Sequence, residues 1–473
     1  MNGACHLGLR RDLSYFDLMN IVIGAIVGSD IYIVPGITAG LIGPFAIVVW
    51  MVGGVIAMVL ATVFGYCAYY VPRVGGSYAY VSTAFNNFWG FVAGWSMCIA
   101  EIVVLPVFAI VFASYLGYFI PLDGEAQFAV KAIFVLAFVA VNIQGVKAAG
   151  RLNDVLTLAK LAPLLLIILL GVGSLVFHPK LLGNYTPFAP FGLTSFGTVM
   201  VLVFWAYAGF ELGSLPSSEV VDPKKNVPKA LITGMAIVVF FYVLTNVAVF
   251  GLVRSADLAK SQVPLVLAST ALLGAAGALI TGVGALASVS GTDETEVLGT
   301  ARLIYAMSAD GLLPKALGRI HPRFKTPYVA ILLEGAIALA LSLYTGISQL
   351  ISFAVFNLGV CYLLVCLALA VLKRSGEKGL PGQAFLPWAG ALISVYLLYS
   401  TSFFDKLVGS VFVVLGIPVY LFFSKTSPRE LEGRLISEEE VFGRELQRQH
   451  AFLANFVRLA RALYRRISSS SRR

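Results

Sequence analysis

Long apolar runs, each about as long as a bilayer is thick, recur along the chain and constrain its fold more than any other feature. No water is present in hydrocarbon to bond the backbone, so a spanning segment must be a helix or a strand of a closed barrel. Continuous apolar runs of roughly 20 residues favour helices, whereas barrel strands alternate apolar and polar residues. We predict an all-α polytopic membrane protein with twelve transmembrane helices at roughly 15–41, 45–69, 86–119, 127–145, 154–177, 195–221, 230–253, 264–290, 327–345, 348–372, 384–401 and 404–423.

The composition and the distribution of charge support this prediction. Of 473 residues, 59% are hydrophobic and 12% are charged, whereas about 25% are charged in soluble proteins. The net charge of +9 arises from residues between the apolar runs and in the last fifty positions, which indicates topology rather than a nucleic-acid partner. Sixteen loop lysines and arginines lie on the side of the N-terminus and five on the other, so we expect both termini in the cytoplasm of a multi-pass cell-membrane protein.

The first apolar run does not resemble a signal peptide, and the cysteines do not indicate a disulfide framework. The run follows Arg10, Arg11 and Asp12 and lacks a small-residue cleavage site, so we expect it to persist as the first membrane helix. The five cysteines show no paired metal-ligand or redox spacing. We therefore expect no disulfide, no metal and no cofactor.

The first and sixth predicted helices share an irregular pattern. Residues 28–30 are Gly-Ser-Asp and precede Pro35, and residues 209–211 are Gly-Phe-Glu and precede Pro216, at a constant offset of 181 positions. Glycine and proline weaken the helical ladder, and an acid in hydrocarbon is costly unless it meets a polar cavity or a partner. The alternatives are ordinary kinks with structurally paired acids or, as we predict, two discontinuous helices of an internal repeat that form a site for a charged solute.

Three stretches, 24–35, 204–228 and 302–327, resemble the amino acid, polyamine and organocation permease superfamily. The most specific stretch contains Tyr207, Gly209, Phe210, Glu211, Glu219, Pro223, Lys224, Lys225 and Pro228. The resemblance covers about 12–424 and implies the leucine-transporter fold, with a five-plus-five inverted repeat, discontinuous helices 1 and 6 and two additional helices. The expected organisation is a cytoplasmic N-terminus (1–13), a transport core (14–372, with repeats at about 14–177 and 195–372), helices 11 and 12 (373–423) and a basic amphipathic cytoplasmic tail (424–473). This tail either lies on anionic lipid headgroups or is a solvated helix.

The resemblance also implies roles for residues at the two interruptions. In similar permeases the substrate's carboxylate rests on amides of the first interruption, and its ammonium rests on carbonyls of both. Matched by motif, the amides belong to Gly28, Ser29 and Asp30, the carbonyls belong to Ile26, Trp205, Ala206 and Ala208, and Gly209 and Glu211 complete the second interruption. Trp205 and Tyr207 are implied to occlude the bound solute, and core packing is the alternative for both.

Asp30 departs from the superfamily pattern, which usually has glycine at this position. An ionised carboxylate there would repel the carboxylate of a bound amino acid. Either Asp30 turns away or is protonated, or the substrate lacks a free carboxylate and presents an amine to Asp30. The sequence leaves the choice between an amino acid and a cationic amine open.

Lys160 in the fifth predicted helix is a candidate for coupling transport to protons. A lysine in hydrocarbon is costly unless it is paired or neutral, so it can gain and lose a proton during a transport cycle. Proton-coupled members of the superfamily are similar in having a lysine on this helix, where its ammonium occupies the place that sodium takes in sodium-driven members. The alternative is a lysine that extends to the cytoplasmic interface near Arg151 and Asp154.

Further acids lie within apolar runs or at their ends. The segment 288–296 ends the eighth predicted helix with an acidic cluster, which we expect to be a solvated helix end rather than a group that pairs with Arg302 or Lys160. Glu101 and Glu334 are both intramembrane acids. We expect Glu101 to contribute to the substrate site, since its helix lines that site in similar permeases.

We predict alternating-access transport of an amino acid with proton symport. The alternatives are a polyamine or cationic amine transporter, an amino acid exchanger and a non-transporting nutrient sensor. An intramembrane enzyme is disfavoured because all four histidines lie in loops or termini and no catalytic motif is found, and a channel is disfavoured because repeated pore-loop signatures are absent. Beyond the solute, protons and lipid we infer no partner, and the oligomeric state is open.

Overall fold

The structure, a computed structural model, describes residues 13–144, 159–217, 220–343, 346–372 and 380–424. Throughout these ranges the regular structure is helical, apart from an isolated backbone bridge between Leu13 and Val220. Three short 3₁₀ segments, 43–45, 179–185 and 212–214, connect or interrupt longer helices. The helices are α1 (Tyr15–Ile26), α2 (Ser29–Ile42), α3 (Ala46–Tyr70), α4 (Gly76–Ala84), α5 (Asn87–Phe119), α6 (Gly124–Gln144), α7 (Ala159–Phe177), α8 (Phe196–Tyr207), α9 (Pro223–Leu252), α10 (Ser255–Leu258), α11 (Pro264–Ala309), α12 (Tyr328–Leu341), α13 (Ile347–Leu372), α14 (Leu386–Ser400) and α15 (Phe403–Phe423).

The helices are those of a polytopic membrane protein, as predicted. Nine helical runs in the described ranges are long and apolar enough to cross a membrane, the first of which, Tyr15–Tyr70, joins α1, α2 and α3. Two more apolar helices, α12 and α14, are shorter. The twelve-helix count, the inverted repeat and the domain limits remain predictions, and the segments 1–12 and 425–473 lie outside the described residues.

Apolar side chains are exposed mainly on the outer helices, where lipid would cover them. Phe403 and Phe404 of α15 are 81% and 69% exposed, whereas α5 and α8 bury most of their residues. In water such exposed aromatic rings would be unfavourable, but in a bilayer they meet hydrocarbon. The polar site described below therefore lies on the inner helices.

Both predicted interruptions are present. The first helix ends at Ile26, the backbone is extended at Val27 and non-helical at Gly28, and the helix starts again at Ser29. The second helix ends at Tyr207 and leaves helical geometry at Gly209, whose φ of +105° suits glycine far better than residues with a Cβ. Each interruption leaves backbone groups at the helix ends without the usual partner four residues away.

The two interruptions meet because their glycines allow close approach. A Cβ on Gly209 would lie 2.7 Å from the carbonyl oxygen of Ala25, which belongs to α1. A Cβ on Gly28 would lie 2.8 Å from Oγ1 of Thr292, which belongs to α11. Any larger residue at either position would force these segments apart, so the glycines bring α1, α11 and the second interruption to one place.

The course of α11 corrects the prediction for the acidic cluster. The eighth helix was expected to end near residue 290, but α11 continues to Ala309 and has its irregularity at Gly274 instead. Asp293, Glu294 and Glu296 are only 3%, 1% and 5% exposed. The expectation of a solvated helix end is therefore wrong, because packing against neighbouring helices buries this segment within the bundle.

Candidate functional site

A small polar cavity lies where the interruptions meet. Its volume of about 10 Å³ is roughly that of one water, so a solute of amino acid size can enter only if the surrounding helices move apart. Of the residues predicted for the site, Asp30, Glu101, Trp205 and Ala208 line the cavity. The lining is completed by Ala25, Ala100, Val104, Phe108, Thr292, Glu296 and Leu358.

Asp30 faces inward at the start of α2 and its carboxylate is held by the protein. It accepts a hydrogen bond from the backbone amide of Ile31, and the hydroxyl of Tyr242 donates to its Oδ1 at 2.6 Å. Asp30 therefore does not turn away from the site. The amide of Gly28, which the resemblance assigns to the substrate's carboxylate, lies within reach of the carboxylate of Asp30.

Carbonyls at the end of α1 receive donors from distant helices. Oγ1 of Thr292 lies 2.8 Å from the carbonyl oxygen of Val27 and 3.2 Å from that of Gly24, so its single hydrogen is donated to one of them or shared between the two. Oγ of Ser288 donates to the carbonyl of Val27 at 3.2 Å. The hydroxyl of Tyr242 lies 3.1 Å from the carbonyl of Ile26. These contacts supply the partners that the interrupted helix lacks.

Lys160 is buried within this arrangement rather than extended to the membrane surface. Its side chain has no exposed area, and its Nζ donates to the carbonyl of Gly24 at 2.6 Å and to Oγ1 of Thr292 at 3.4 Å. A cation at the C-terminal end of α1 also interacts favourably with the helix dipole. The alternative of a lysine at the cytoplasmic interface is wrong, and the proposed neighbours Arg151 and Asp154 lie outside the described residues.

The Glu211 carboxylate accepts hydrogen bonds at the second interruption and lies near two other carboxyl groups, those of Glu101 and Glu296. Its Oε2 accepts the amide of Gly209 at 3.1 Å and its Oε1 accepts the hydroxyl of Tyr362 at 2.7 Å. Glu101 lies within hydrogen-bonding reach of Glu211 and of Glu296. Two ionised carboxylates have no hydrogen to share, so such contacts require that a proton be held among the three groups.

The remaining predicted residues divide between the cavity and the packed core. Trp205 lines the cavity, whereas Tyr207 packs edge-on against Trp50, with centroids 5.6 Å apart, and donates to the Trp50 carbonyl at 3.0 Å. Tyr207 is thus in the position that the core-packing alternative describes. Ser29 and Ala206 are fully buried beside the interruptions, and Oγ of Ser29 has no hydrogen-bond partner among the described residues.

Sequence reasoning missed several residues of this site. Ser288 and Thr292 are four residues apart, so their presence on one face of a helix was a usable signal. Tyr242 and Tyr362 gave no such signal, because their partners lie 212 and 151 positions away. Glu334, the other intramembrane acid named with Glu101 from the sequence, is buried but does not line the cavity.

Comparison with known proteins identifies the family. Residues 13–423 match the amino acid permease family. The chain is 26% identical over 427 residues to the serine/threonine exchanger SteT of Bacillus subtilis, covering 87% of this chain and 97% of that protein. It is 27% identical over 439 residues to the methylthioribose transporter of Bacillus subtilis (88% and 94% coverage). It is 28% identical over 448 residues to the large neutral amino acids transporter small subunit 2 of Rattus norvegicus (89% and 82% coverage).

The family match spans all of the described helices and both interruptions. It confirms the resemblance drawn from the motifs, and it confirms that the protein is a transporter rather than an enzyme. The chain, a multi-pass membrane protein with two interrupted helices that meet at a buried polar cavity, belongs to the amino acid permease family.

Proposed function

We propose that this protein is a secondary transporter that moves amino acids across the cell membrane by alternating access, coupled to protons. The proposed architecture is twelve helices with a five-plus-five inverted repeat at about 14–177 and 195–372 and both termini in the cytoplasm. Two of the relatives are named for transport or exchange of amino acids. A third is named for methylthioribose, so the family alone does not select the solute.

The observation that carries the proposal is the meeting of two interrupted helices at a buried polar cavity. Backbone groups freed by interruption can bind a charged solute without the cost of an unpaired group in hydrocarbon. The proposed contacts are the amides of Gly28, Ser29 and Asp30, the carbonyls of Ile26, Trp205, Ala206 and Ala208, and the side chains of Glu101, Trp205 and Glu211. Tyr207 packs against Trp50 and supports the site from the core. Because the cavity is closed, release to either side requires one group of helices to move against the other.

Proton coupling is assigned to Lys160. Its ammonium donates to the carbonyl of Gly24 and so ties α7 to the end of α1 beside Thr292. A neutral amine would bind that carbonyl more weakly, because a charge-assisted hydrogen bond is about twice as strong as a neutral one. Loss of the proton would therefore loosen α1, whose movement opens the site.

The test is uphill uptake in proteoliposomes under an imposed proton gradient. We expect wild-type protein to accumulate an amino acid and Lys160→Gln to lose this accumulation while it keeps exchange without a gradient. Lys131→Gln is the matched control, since Lys131 donates to the Ser342 carbonyl away from the cavity. Unchanged gradient-driven accumulation by Lys160→Gln would refute the coupling role.

A second candidate function, transport of an amine without a carboxylate, is favoured by Asp30. Its carboxylate already accepts the Ile31 amide and lies within reach of the Gly28 amide, so the protein itself supplies the group that an amino acid would bring. An amine would then bind to Asp30 directly. This candidate shares the fold and the alternating-access mechanism and differs in the solute.

Asp30→Gly separates the two candidates because it restores the residue usual in the superfamily. If the solute is an amine, the variant should lose cadaverine binding and gain affinity for lysine, which differs from cadaverine by one carboxylate. Thermal stabilisation of purified protein by each compound measures the change. Wild-type protein that already prefers lysine would exclude the amine candidate.

A further inference from the structure

Two buried glutamates in the cavity wall each have a carboxylate oxygen without a partner. Glu101 of α5 and Glu296 of α11 are 3% and 5% exposed, and both line the cavity. Oε1 of Glu101 and Oε2 of Glu296 are buried without a hydrogen-bond partner in the described part of the chain. The two carboxyl groups lie within hydrogen-bonding reach of each other, so a proton shared between them is the donor that they have in this closed state. A buried acceptor with no other donor is costly, so the two oxygens are open to a cationic group that enters the cavity.

The one buried base in the described ranges is directed elsewhere. Eight acids and one base are buried among the described residues: Asp30, Glu101, Glu211, Asp293, Glu294, Glu296, Glu334, Asp405 and Lys160. The ammonium of Lys160 is directed to Gly24 and Thr292, and the acids whose charges act on it are Asp30 and Glu294. Neither Glu101 nor Glu296 is its partner.

The rest of the cavity wall suits a cation with an apolar stem. Phe108 and Trp205 contribute aromatic rings, whose faces attract cations. Val104 and Leu358 contribute aliphatic surface for methylene groups. Asp30 lines the same cavity, so the site has an acidic position apart from the Glu101–Glu296 pair.

We propose that Glu101 and Glu296 form a subsite for a second, distal cationic group of the transported solute. The shared chemistry is that of a basic amino acid or of a diamine, both of which carry two cationic groups joined by a short apolar stem. One cationic group binds at the helix interruptions near Asp30, and the distal ammonium or guanidinium donates to the two glutamates in place of the proton that they share. The inference rests on the transport function proposed above and specifies its substrate class.

Four matched compounds test the proposal: lysine, norleucine, cadaverine and pentylamine. Lysine and cadaverine carry the distal ammonium, whereas norleucine and pentylamine lack it. Lysine and norleucine carry a carboxylate, whereas cadaverine and pentylamine lack it. In proteoliposomes we expect wild-type protein to exchange lysine faster than norleucine, or cadaverine faster than pentylamine, by about tenfold or more. The reason is that a compound without the distal ammonium leaves a buried acid unpaired. Preference for norleucine or pentylamine would overturn the subsite.

Variants locate the selectivity. Glu101→Gln and Glu296→Gln should each reduce the preference for the distal ammonium by about tenfold or more, because truncating one side of a buried charge pair is costly. Glu334→Gln, an equally buried acid outside the cavity lining, should leave the preference unchanged. An unchanged preference in both cavity variants would refute the proposal.

The wild-type ratio tests the proposal even if a variant does not fold, which size-exclusion chromatography would reveal. Exchange of neutral amino acids alone would overturn the distal-cation subsite and leave amino acid transport intact. Absence of exchange for every amino acid and amine tested would overturn the transport function as well.

Discussion

The acids at the two interruptions, Asp30 and Glu211, each receive a donor from a distant helix in addition to an amide of their own segment. Asp30 receives a hydroxyl from α9, through Tyr242, and Glu211 receives one from α13, through Tyr362. In hydrocarbon these acids would be costly without such donors. The tyrosines therefore stabilise the acids that replace ordinary helical residues at the interruptions.

Tyr362→Phe is expected to lower the stability of the purified protein. The variant keeps the ring but removes the donor to Oε1 of Glu211, at 2.7 Å, and leaving a buried acceptor short of a partner costs about 1–3 kcal/mol. A lower melting temperature in detergent measures the effect. Tyr396→Phe is the control, because the buried Tyr396 hydroxyl has no hydrogen-bond partner among the described atoms, and an equal loss in both variants would contradict the prediction.

The interruption in the first helix requires contact between separate helices. Gly28 lies against Thr292, whose hydroxyl oxygen lies 3.2 Å from the carbonyl oxygen of Gly24 and 2.8 Å from that of Val27. The contact depends on the position of α11 as well as on those of α1 and α2. A change at Gly28 should therefore affect the relative positions of these helices and, through them, the opening of the site.

Gly28→Ala is expected to reduce exchange in proteoliposomes strongly while the protein still enters the membrane. Its Cβ would lie within 2.9 Å of three atoms of the Thr292 side chain, and overpacking of this kind costs about 1–3 kcal/mol. Gly173→Ala is the control, because a Cβ there meets no atom within 4 Å. Normal exchange by Gly28→Ala would mean that the helices do not need this close approach.

At the scale of the whole molecule, the proposed orientation follows from the asymmetry of basic loop residues. Lys180 lies in the connection between α7 and α8 and Lys315 in the connection between α11 and α12, and both are exposed. The positive-inside rule assigns these connections to opposite sides, with Lys315 in the cytoplasm. The four described cysteines are buried, so a thiol reagent should react mainly with a cysteine introduced at an exposed position.

Lys180→Cys and Lys315→Cys test the orientation in a Cys5→Ser background. A membrane-impermeant maleimide added to intact cells should label Lys180→Cys at once and Lys315→Cys only after permeabilisation. The parent protein with Cys5→Ser alone reports the background. The reverse pattern would place the termini outside the cell.

The sequence predicted the helical membrane fold and the interruptions because their causes are local. The hydropathy of each run can be read from that run alone. Gly28 and Gly209 allow non-helical backbone conformations at their own positions. Asp30 and Glu211 are buried, whereas the sequence left the orientation of Asp30 open. The solvated end expected at 293–296 is wrong, since hydropathy cannot register burial by other helices.

Sequence alone therefore determined that the chain crosses the membrane as helices and where two of them lose regular hydrogen bonding. Only the tertiary structure decided which donors meet the freed groups, namely Lys160 at the carbonyl of Gly24, 136 positions away, and Tyr362 at Glu211. Hydropathy and backbone conformation depend on a residue and its immediate neighbours. Hydrogen-bond partners across a bundle depend on how whole helices pack, and no local pattern encodes that packing.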